Sequence, residues 1–394
     1  MKRSPARLLV FLLDGFGPEY LHAADMPNTS ALIRAGAFTS QGQAVLPSLT
    51  NVNHVSLLTG TYPERHGLCA NFYYDQASGR EVFMDRVAFV RAPLLFEVAK
   101  TRGWTTALVA GKEKLARLLA RGLDRCFDMS HVPPDLLPIV GAPPDIFSME
   151  INLWVLRLAR EVARRYRPDL LYVATTDYPG HRWPPGAPAM QEYLRTLDEL
   201  IGQIVAGYDL AESVVVLTAD HGMNAKVSAM SPVQVLRQAG IASRGVPLIR
   251  DGLYAHHRDL GGALYLYLED AGAARRAVEV LQAEAPGVEV VAPRGEAERF
   301  RLPPDRVGDL ICFGRADWAL GVWDDGDPTH YEQDLRSHGS SHECAVPIVV
   351  AGAGIRRGAR LDGASTVDLA PTLCSLLQVN GGQFQGRVLE EALD

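Results

Sequence analysis

Cysteine is scarce and poorly placed for cross-linking: Cys69, Cys126, Cys312, Cys344 and Cys374 are spread over 394 residues with no C-x-x-C pair. An odd, dispersed set supports neither a disulfide framework nor a cysteine zinc site. Long apolar runs are missing too, none approaching the ~18 residues of a membrane helix. The N-terminal run Leu8–Leu13 follows basic residues but ends at Asp14. It falls short of the ~7–15 apolar residues of a secretory leader, so it reads as a buried first strand. Positive charge is not in excess: 39 Lys and Arg against 46 Asp and Glu give a formal charge of −7. Nothing global then draws the chain to nucleic acid or an anionic membrane surface. An anionic small molecule stays compatible, through local positive charge. The expectation is a cytoplasmic protein without nucleic-acid or membrane partners. Its oligomeric state is open, with a homodimer among the options. Repeats and low-complexity segments are also absent.

What is present is ordinary globular material, 47% hydrophobic and 22% charged, and long enough for two domains. Short apolar runs at Leu8–Leu13, Thr106–Ala110, Leu170–Thr175, Val214–Thr218 and Pro347–Ala351 read as buried parallel strands. Helical periodicity at Ile151–Tyr166 and Pro188–Val205 lies between them. The pattern predicts an α/β fold with a doubly wound, mostly parallel sheet. From about Met230 to Gln333 the texture changes. Gly262–Leu268, Val288–Val291 and Arg306–Phe313 read as strands and Ala271–Glu284 as a helix, an inserted α+β cap. The expected division is a core of residues 1–229 and 334–394 with a cap of residues 230–333.

Polar residues follow the strands. Asp14 follows the first, Lys112-Glu113-Lys114 the second, Asp177 and His181 the third, and Asp220-His221 the fourth. Ligands of open α/β sheets bind beyond the carboxyl ends of the strands, so these groups would meet at one edge. Mixed carboxylate and imidazole ligands suit two divalent ions, zinc best among them. Each residue alone has a bland explanation, since a strand-end Asp often caps a helix and a lone His is usually structural. A helix over residues 51–58 beginning at Thr50 would place a hydroxyl among free amide donors, which favours an alkoxide and a phosphoryl group. The plain alternative is that Thr50 is an N-cap. Asn53 and His54 read as turn-orienting residues and Asp75 as a turn residue. The lysine pair could be a solvated helix start.

These pieces together resemble the alkaline phosphatase superfamily, in its nucleotide pyrophosphatase/phosphodiesterase-like branch. The resemblance rests on Leu-Asp14-Gly, Pro-Ser-Leu-Thr50-Asn, Thr59-Gly-Thr-Tyr-Pro-Glu-Arg-His66-Gly, Asp177-x-x-x-His181, Thr218-Ala-Asp220-His221-Gly-Met and Ser337-His338-Gly, in order along most of the chain. It implies an alkaline-phosphatase-like fold and a dinuclear site. One ion would be held by Asp177, His181 and His338, the other by Asp14, Asp220, His221 and the Thr50 oxygen. His342 is an alternative to His338. Within the branch, phosphonoacetate hydrolases are the nearest likeness. Asn51 stands where phosphodiesterases commonly carry an aromatic, His66–Asp75 resembles their HG-x-x-x-NFYYD stretch, and Lys112 and Lys114 resemble their lysine pair.

That resemblance implies hydrolysis of the carbon–phosphorus bond of phosphonoacetate to acetate and phosphate. Thr50 would be the nucleophile, and Lys112 and Lys114 would bind the substrate carboxylate. Asn71, and secondarily Asn51, would donate to phosphonyl oxygens. The alternatives are a nucleotide pyrophosphatase/phosphodiesterase-type hydrolase and, from another class, an inactive metal- or anion-binding protein. A sulfatase would need a Cys or Ser in a C/S-x-P-x-R context, which no cysteine here has.

Overall fold

The computed structural model describes residues 5–324 and 326–394, apart from the side chain of Tyr254. Lys2 and Arg3, ahead of the first strand, lie outside the described residues. A seven-stranded sheet forms the centre. Its order is Gly36–Gln43, Ala345–Gly352, Ser213–Thr218, Arg7–Leu12, Leu170–Ala174, Thr106–Ala110, Arg125–Phe127. The last five run parallel. All residues of Leu170–Ala174, Thr106–Ala110 and Ser213–Thr218 are buried, which is why these strands read as unbroken apolar runs rather than alternating ones. The fold is the α/β, mostly parallel architecture expected.

One strand departs from that expectation. Pro347–Ala351, read as parallel, belongs to Ala345–Gly352 and runs antiparallel to both its neighbours. The chain comes back to the sheet through His338 and a short turn at Ser341–Glu343, at the edge where the parallel strands end. A parallel strand would need a crossover of a dozen or more residues, and this connection is too short for one.

Helix Glu150–Tyr166 packs on Leu170–Ala174 and Thr106–Ala110, and Pro188–Val205 packs beside it. Pro188 opens the second helix, where a missing N–H removes no helical bond. Among the described residues no helix is long and apolar enough to cross a membrane.

Between residues 243 and 314 a separate antiparallel sheet forms, in the order Ser243–Pro247, Ala263–Leu268, Leu310–Gly314, Val288–Pro293. Helix Ala274–Glu284, entered through a 3-10 turn at Ala271–Ala273, packs against it. The strand expected at Arg306–Phe313 is shorter. Arg306 instead spends its guanidinium on the carbonyls of Gly67 and Phe89, and Asp309 pairs with Arg294. A third sheet joins Asn224–Met230 to Trp318–Leu320 and Thr329–Ser337, straddling both edges of the expected insertion. It ties the two larger sheets together near His338.

Candidate functional site

Asp14, Lys112, Asp177 and Asp220 all lie just past the ends of parallel strands, and the structure brings them to one buried edge. Backbone bonds fasten the strand ends. The Asp14 N–H donates to Thr175 Oγ1 at 2.8 Å, and the Gly15 N–H donates to Asp220 Oδ1 at 3.1 Å. Gly15 has φ +72°, and a Cβ there would stand 3.3 Å from that of Asp177. Only glycine passes this close without strain.

Two carboxylate–imidazole groups form at this edge. In one, Asp177 stands just before the short helix Tyr178–Arg182, which returns His181 one turn later. His181 Nε2 lies 3.2 Å and His338 Nε2 3.5 Å from Asp177 Oδ2. In the other, His221 Nε2 lies 3.4 Å from Asp14 Oδ1 and 3.5 Å from Asp220 Oδ2. The His221 and His338 rings stack at 3.6 Å, so the groups are adjacent.

The far nitrogen of each ring decides what these contacts are. Nδ1 of His181 faces the Arg336 carbonyl at 2.7 Å, that of His338 the Ser48 carbonyl at 2.7 Å, and that of His221 the Gly222 carbonyl at 2.9 Å. A carbonyl only accepts, so each Nδ1 carries a proton, and on a neutral ring the Nε2 then presents a lone pair to a carboxylate. Burial holds His221 and His338 below the usual imidazole range, which keeps them neutral. Lone pairs thus face carboxylate oxygens with no proton between them. His338 Nε2 and Asp220 Oδ2 have no hydrogen-bond partner. The donor set fits a cation in each group, with backbone carbonyls orienting the imidazoles as such sites require.

The carboxylates report the same imbalance. Burial, then the neighbouring Asp177 and Asp220, raises Asp14 well above its ordinary value, and burial pushes Asp220 up to about 6. Burial also acts upward on Asp177, but that carboxyl is held low, with the Lys112 ammonium the chief downward influence.

Thr50 opens the helix Thr50–Thr59, buried at every residue. Its Oγ1 lies 3.4 Å from His221 Nε2 and 3.5 Å from Asp14 Oδ1. The N-cap is Leu49, whose side chain makes no capping bond, so Thr50 is not an N-cap hydroxyl. Nearby, His54 Nδ1 bonds the Tyr172 hydroxyl at 2.9 Å while its Nε2 stands 3.9 Å from Asp220 Oδ2. Asn53 binds the backbone of Val45, Pro47 and Leu49, holding the turn before the helix. His342 turns away to Glu289, so His338 alone of the two joins the cluster.

Lys112 and Lys114 are buried, not solvated. Lys112 Nζ bridges Asp177 Oδ1 at 2.7 Å and Asp14 Oδ2 at 3.0 Å. Two buried carboxylates, Asp14 and Asp177, thus share one ammonium. Lys114 pairs with Asp251. The amide nitrogens of Asn51 and Asn71 donate to the carbonyls of Met84 and Ile249, leaving each a second N–H. Phe72 and Tyr73 are buried, Tyr74 packs on Tyr267 of the second sheet, and Asp75 holds a turn through Ala77 and Ser78.

Asp251, His256 and His257 are absent from the sequence candidates, because they lie in a stretch read only as cap. The available signal was Asp251-Gly-Leu-Tyr-Ala-His256-His257, an acid followed by paired histidines. His257 Nε2 bonds Asp251 Oδ1 at 2.9 Å, and His256 Nε2 stands 3.7 Å from Asp177 Oδ1.

A model of the type I phosphodiesterase/nucleotide pyrophosphatase family matches residues 8–341. A venom phosphodiesterase of Naja atra is 29% identical over 231 residues, 55% of this chain and 26% of that protein. Human ectonucleotide pyrophosphatase/phosphodiesterase family member 1 is 28% identical over 228 residues, 55% of this chain and 23% of its own length. The chain therefore spans about a quarter of these relatives. Among solved structures, phosphonoacetate hydrolase from Sinorhizobium meliloti, in complex with phosphonoacetate, is 29% identical with a TM-score of 0.84. The match covers 95% of this chain and 97% of that one. Murine ectonucleotide pyrophosphatase/phosphodiesterase 5, in complex with AMP, shares the fold at 18% identity and a TM-score of 0.75, over 98% of this chain and all of the other. With the match extending from the first strand past His338, the chain belongs to the type I phosphodiesterase/nucleotide pyrophosphatase family.

Proposed function

We propose that the protein is a metal-dependent hydrolase that cleaves the carbon–phosphorus bond of phosphonoacetate to acetate and phosphate. The observation that carries the metal-dependent part is the two adjacent groups in which imidazole nitrogens face carboxylates, one of them beside Thr50. Asp177, His181 and His338 would hold one divalent ion; Asp14, Asp220, His221 and the Thr50 oxygen would hold the other. Zinc suits this mixed oxygen and nitrogen set. Such ions neutralise phosphoryl charge and lower the pKa of oxygen nucleophiles.

The rest falls to the chain's own groups. Attack by the Thr50 oxygen forms an O–P bond and breaks the P–C bond, its hydroxyl proton passing to solvent. The electron pair departs with carbon and spreads onto the carboxylate oxygens; a solvent proton then completes acetate. Water cleaves the phosphothreonine, restoring Thr50 and releasing phosphate. Lys112 and Lys114 supply positive charge where the enolate develops, which is where it helps most. Lys112 can turn to the substrate once cations satisfy Asp14 and Asp177. Asn71, and then Asn51, offer their second N–H to phosphonyl oxygens. On this reading residues 1–229 and 334–394 carry the chemistry and residues 230–333 cap it. The overlap with phosphonoacetate hydrolase along nearly both whole chains supports this substrate. The match to the type I phosphodiesterase family supports a second reading, a nucleotide-type phosphodiesterase.

Phosphate release from phosphonoacetate, set beside p-nitrophenol release from bis(p-nitrophenyl) phosphate, separates the two readings with metal-loaded protein. Preference for phosphonoacetate in kcat/KM upholds the first. Turnover of the diester with none of the phosphonate replaces it by the second.

A further inference from the structure

His54 stands four residues after Thr50 on the same helix, so the two side chains share a helical face. It is fully buried and close to Asp220, yet it belongs to neither ligand group. An imidazole beside a carboxylate acts as a ligand when its lone pair points inward and as a donor when its proton does.

The Tyr172 hydroxyl decides between these. Tyr172 lies in the buried strand Leu170–Ala174, and among the described residues its hydroxyl bonds His54 Nδ1 at 2.9 Å and nothing else. Suppose Nδ1 carried the only proton of the ring. It would donate to the phenol oxygen, the phenol O–H would have no acceptor, and Nε2 would turn a lone pair on the Asp220 carboxylate. An unspent buried donor of that kind is costly. With Tyr172 donating to Nδ1 instead, the ring proton sits on Nε2 and faces Asp220. Each donor then points at an acceptor.

The surroundings of Asp220 agree. Its Oδ1 accepts the backbone N–H of Gly15 at 3.1 Å and of His221 at 3.0 Å. Its Oδ2 has no hydrogen-bond partner, and neither has His54 Nε2, 3.9 Å away. That separation exceeds hydrogen-bond reach, so an unmet donor and an unmet acceptor face each other. His221 Nε2 stands 3.5 Å from the same oxygen, with its proton on the far side of the ring. One ring therefore offers Asp220 a lone pair and the other offers it a proton.

We propose that His54 is a positioning residue, held by Tyr172 in its Nε2–H form so that it donates to Asp220 and orients that carboxylate toward the ion it would share with Asp14 and His221. The inference rests on the two-ion reading above, and makes His54 the partner of a ligand rather than a ligand.

Competition for zinc between the protein and a chelator of known affinity tests it, with the two ions read as separate steps. His54→Phe keeps a ring beside Tyr172 and removes the donor. It should weaken one ion about 10–100-fold and the other about twofold or less, and His54→Gln, which keeps an N–H, should regain part of the loss. Should His54→Phe fail to fold, nitrogen-15 NMR of histidine-labelled, zinc-loaded wild type supplies the answer. The His54 ring, assigned by the signal lost in His54→Gln, should carry its proton on Nε2. If the wild type binds fewer than two ions, the two-ion reading falls and the inference with it. If it binds two but His54→Phe weakens both alike or neither, or His54→Gln regains nothing, the inference alone is overturned. A proton on Nδ1 alone, or zinc on Nε2, would overturn it as well.

Discussion

Two groups of acid and histidine lie side by side in this molecule and behave oppositely. At the sheet edge, His181, His221 and His338 each give the Nδ1 proton to a backbone carbonyl and turn a bare Nε2 on a carboxylate. In the inserted segment, His257 takes a backbone N–H on Nδ1 and gives its Nε2 proton to Asp251, which also holds Lys114. Residue types are alike. The difference is the polarity of one hydrogen bond per ring. The first group is short of positive charge; the second already contains its cation. A cluster of ligand-type residues becomes a metal site only where the backbone fixes the imidazole with its lone pair inward.

The comparison can be pressed hardest at Thr50, which touches only the first group. Thr50→Ala should lower turnover by about 10⁴-fold or more, as losing a nucleophile does, with Thr50→Ser keeping part of it. A Thr50→Ala variant near native turnover would leave the cations without a protein nucleophile to serve. Next in size is Asp251→Ala, which strands the buried Lys114 ammonium. Breaking such a pair typically costs about 3–5 kcal/mol, to be read from urea unfolding. A loss under about 1 kcal/mol would mean that the second group is not the self-satisfied pair described. Chelation probes the cations themselves. Each ion bound at 100 to 1,000 times its Kd contributes about 2.7–4.1 kcal/mol, so exhaustive chelation should lower the Tm of the wild type by several degrees. A Tm indifferent to chelator would remove the cation deficit.

Much of this was legible in the sequence, for a physical reason. Strand ends deliver side chains to a known edge, so Asp14, Lys112, Asp177 and Asp220 could be placed there before any coordinates. The spacing of Asp177 and His181 puts both on one helical face. What stayed hidden depends on contacts between distant segments. The direction of Ala345–Gly352 is set by where the chain returns from the insertion, not by its composition. The choice between His338 and His342 turned on the Ser48 carbonyl, 290 residues away. The burial of Lys112 and Lys114 needed Asp14, Asp177 and Asp251 as partners, one of them in the inserted segment. His256 and His257 could not be told apart as neighbours in sequence; only the tertiary fold assigns one to Asp177 and the other to Asp251.

Metal stoichiometry tests the central claim most directly, measured by mass spectrometry on wild type, His221→Ala and His257→Ala purified without chelator. The wild type should carry about two ions per chain, the number its paired ligand groups would hold. His221→Ala should lose at least one of them, and His257→Ala should keep both. A third ion in the wild type, or loss of metal on removing His257 with none lost on removing His221, would contradict the account.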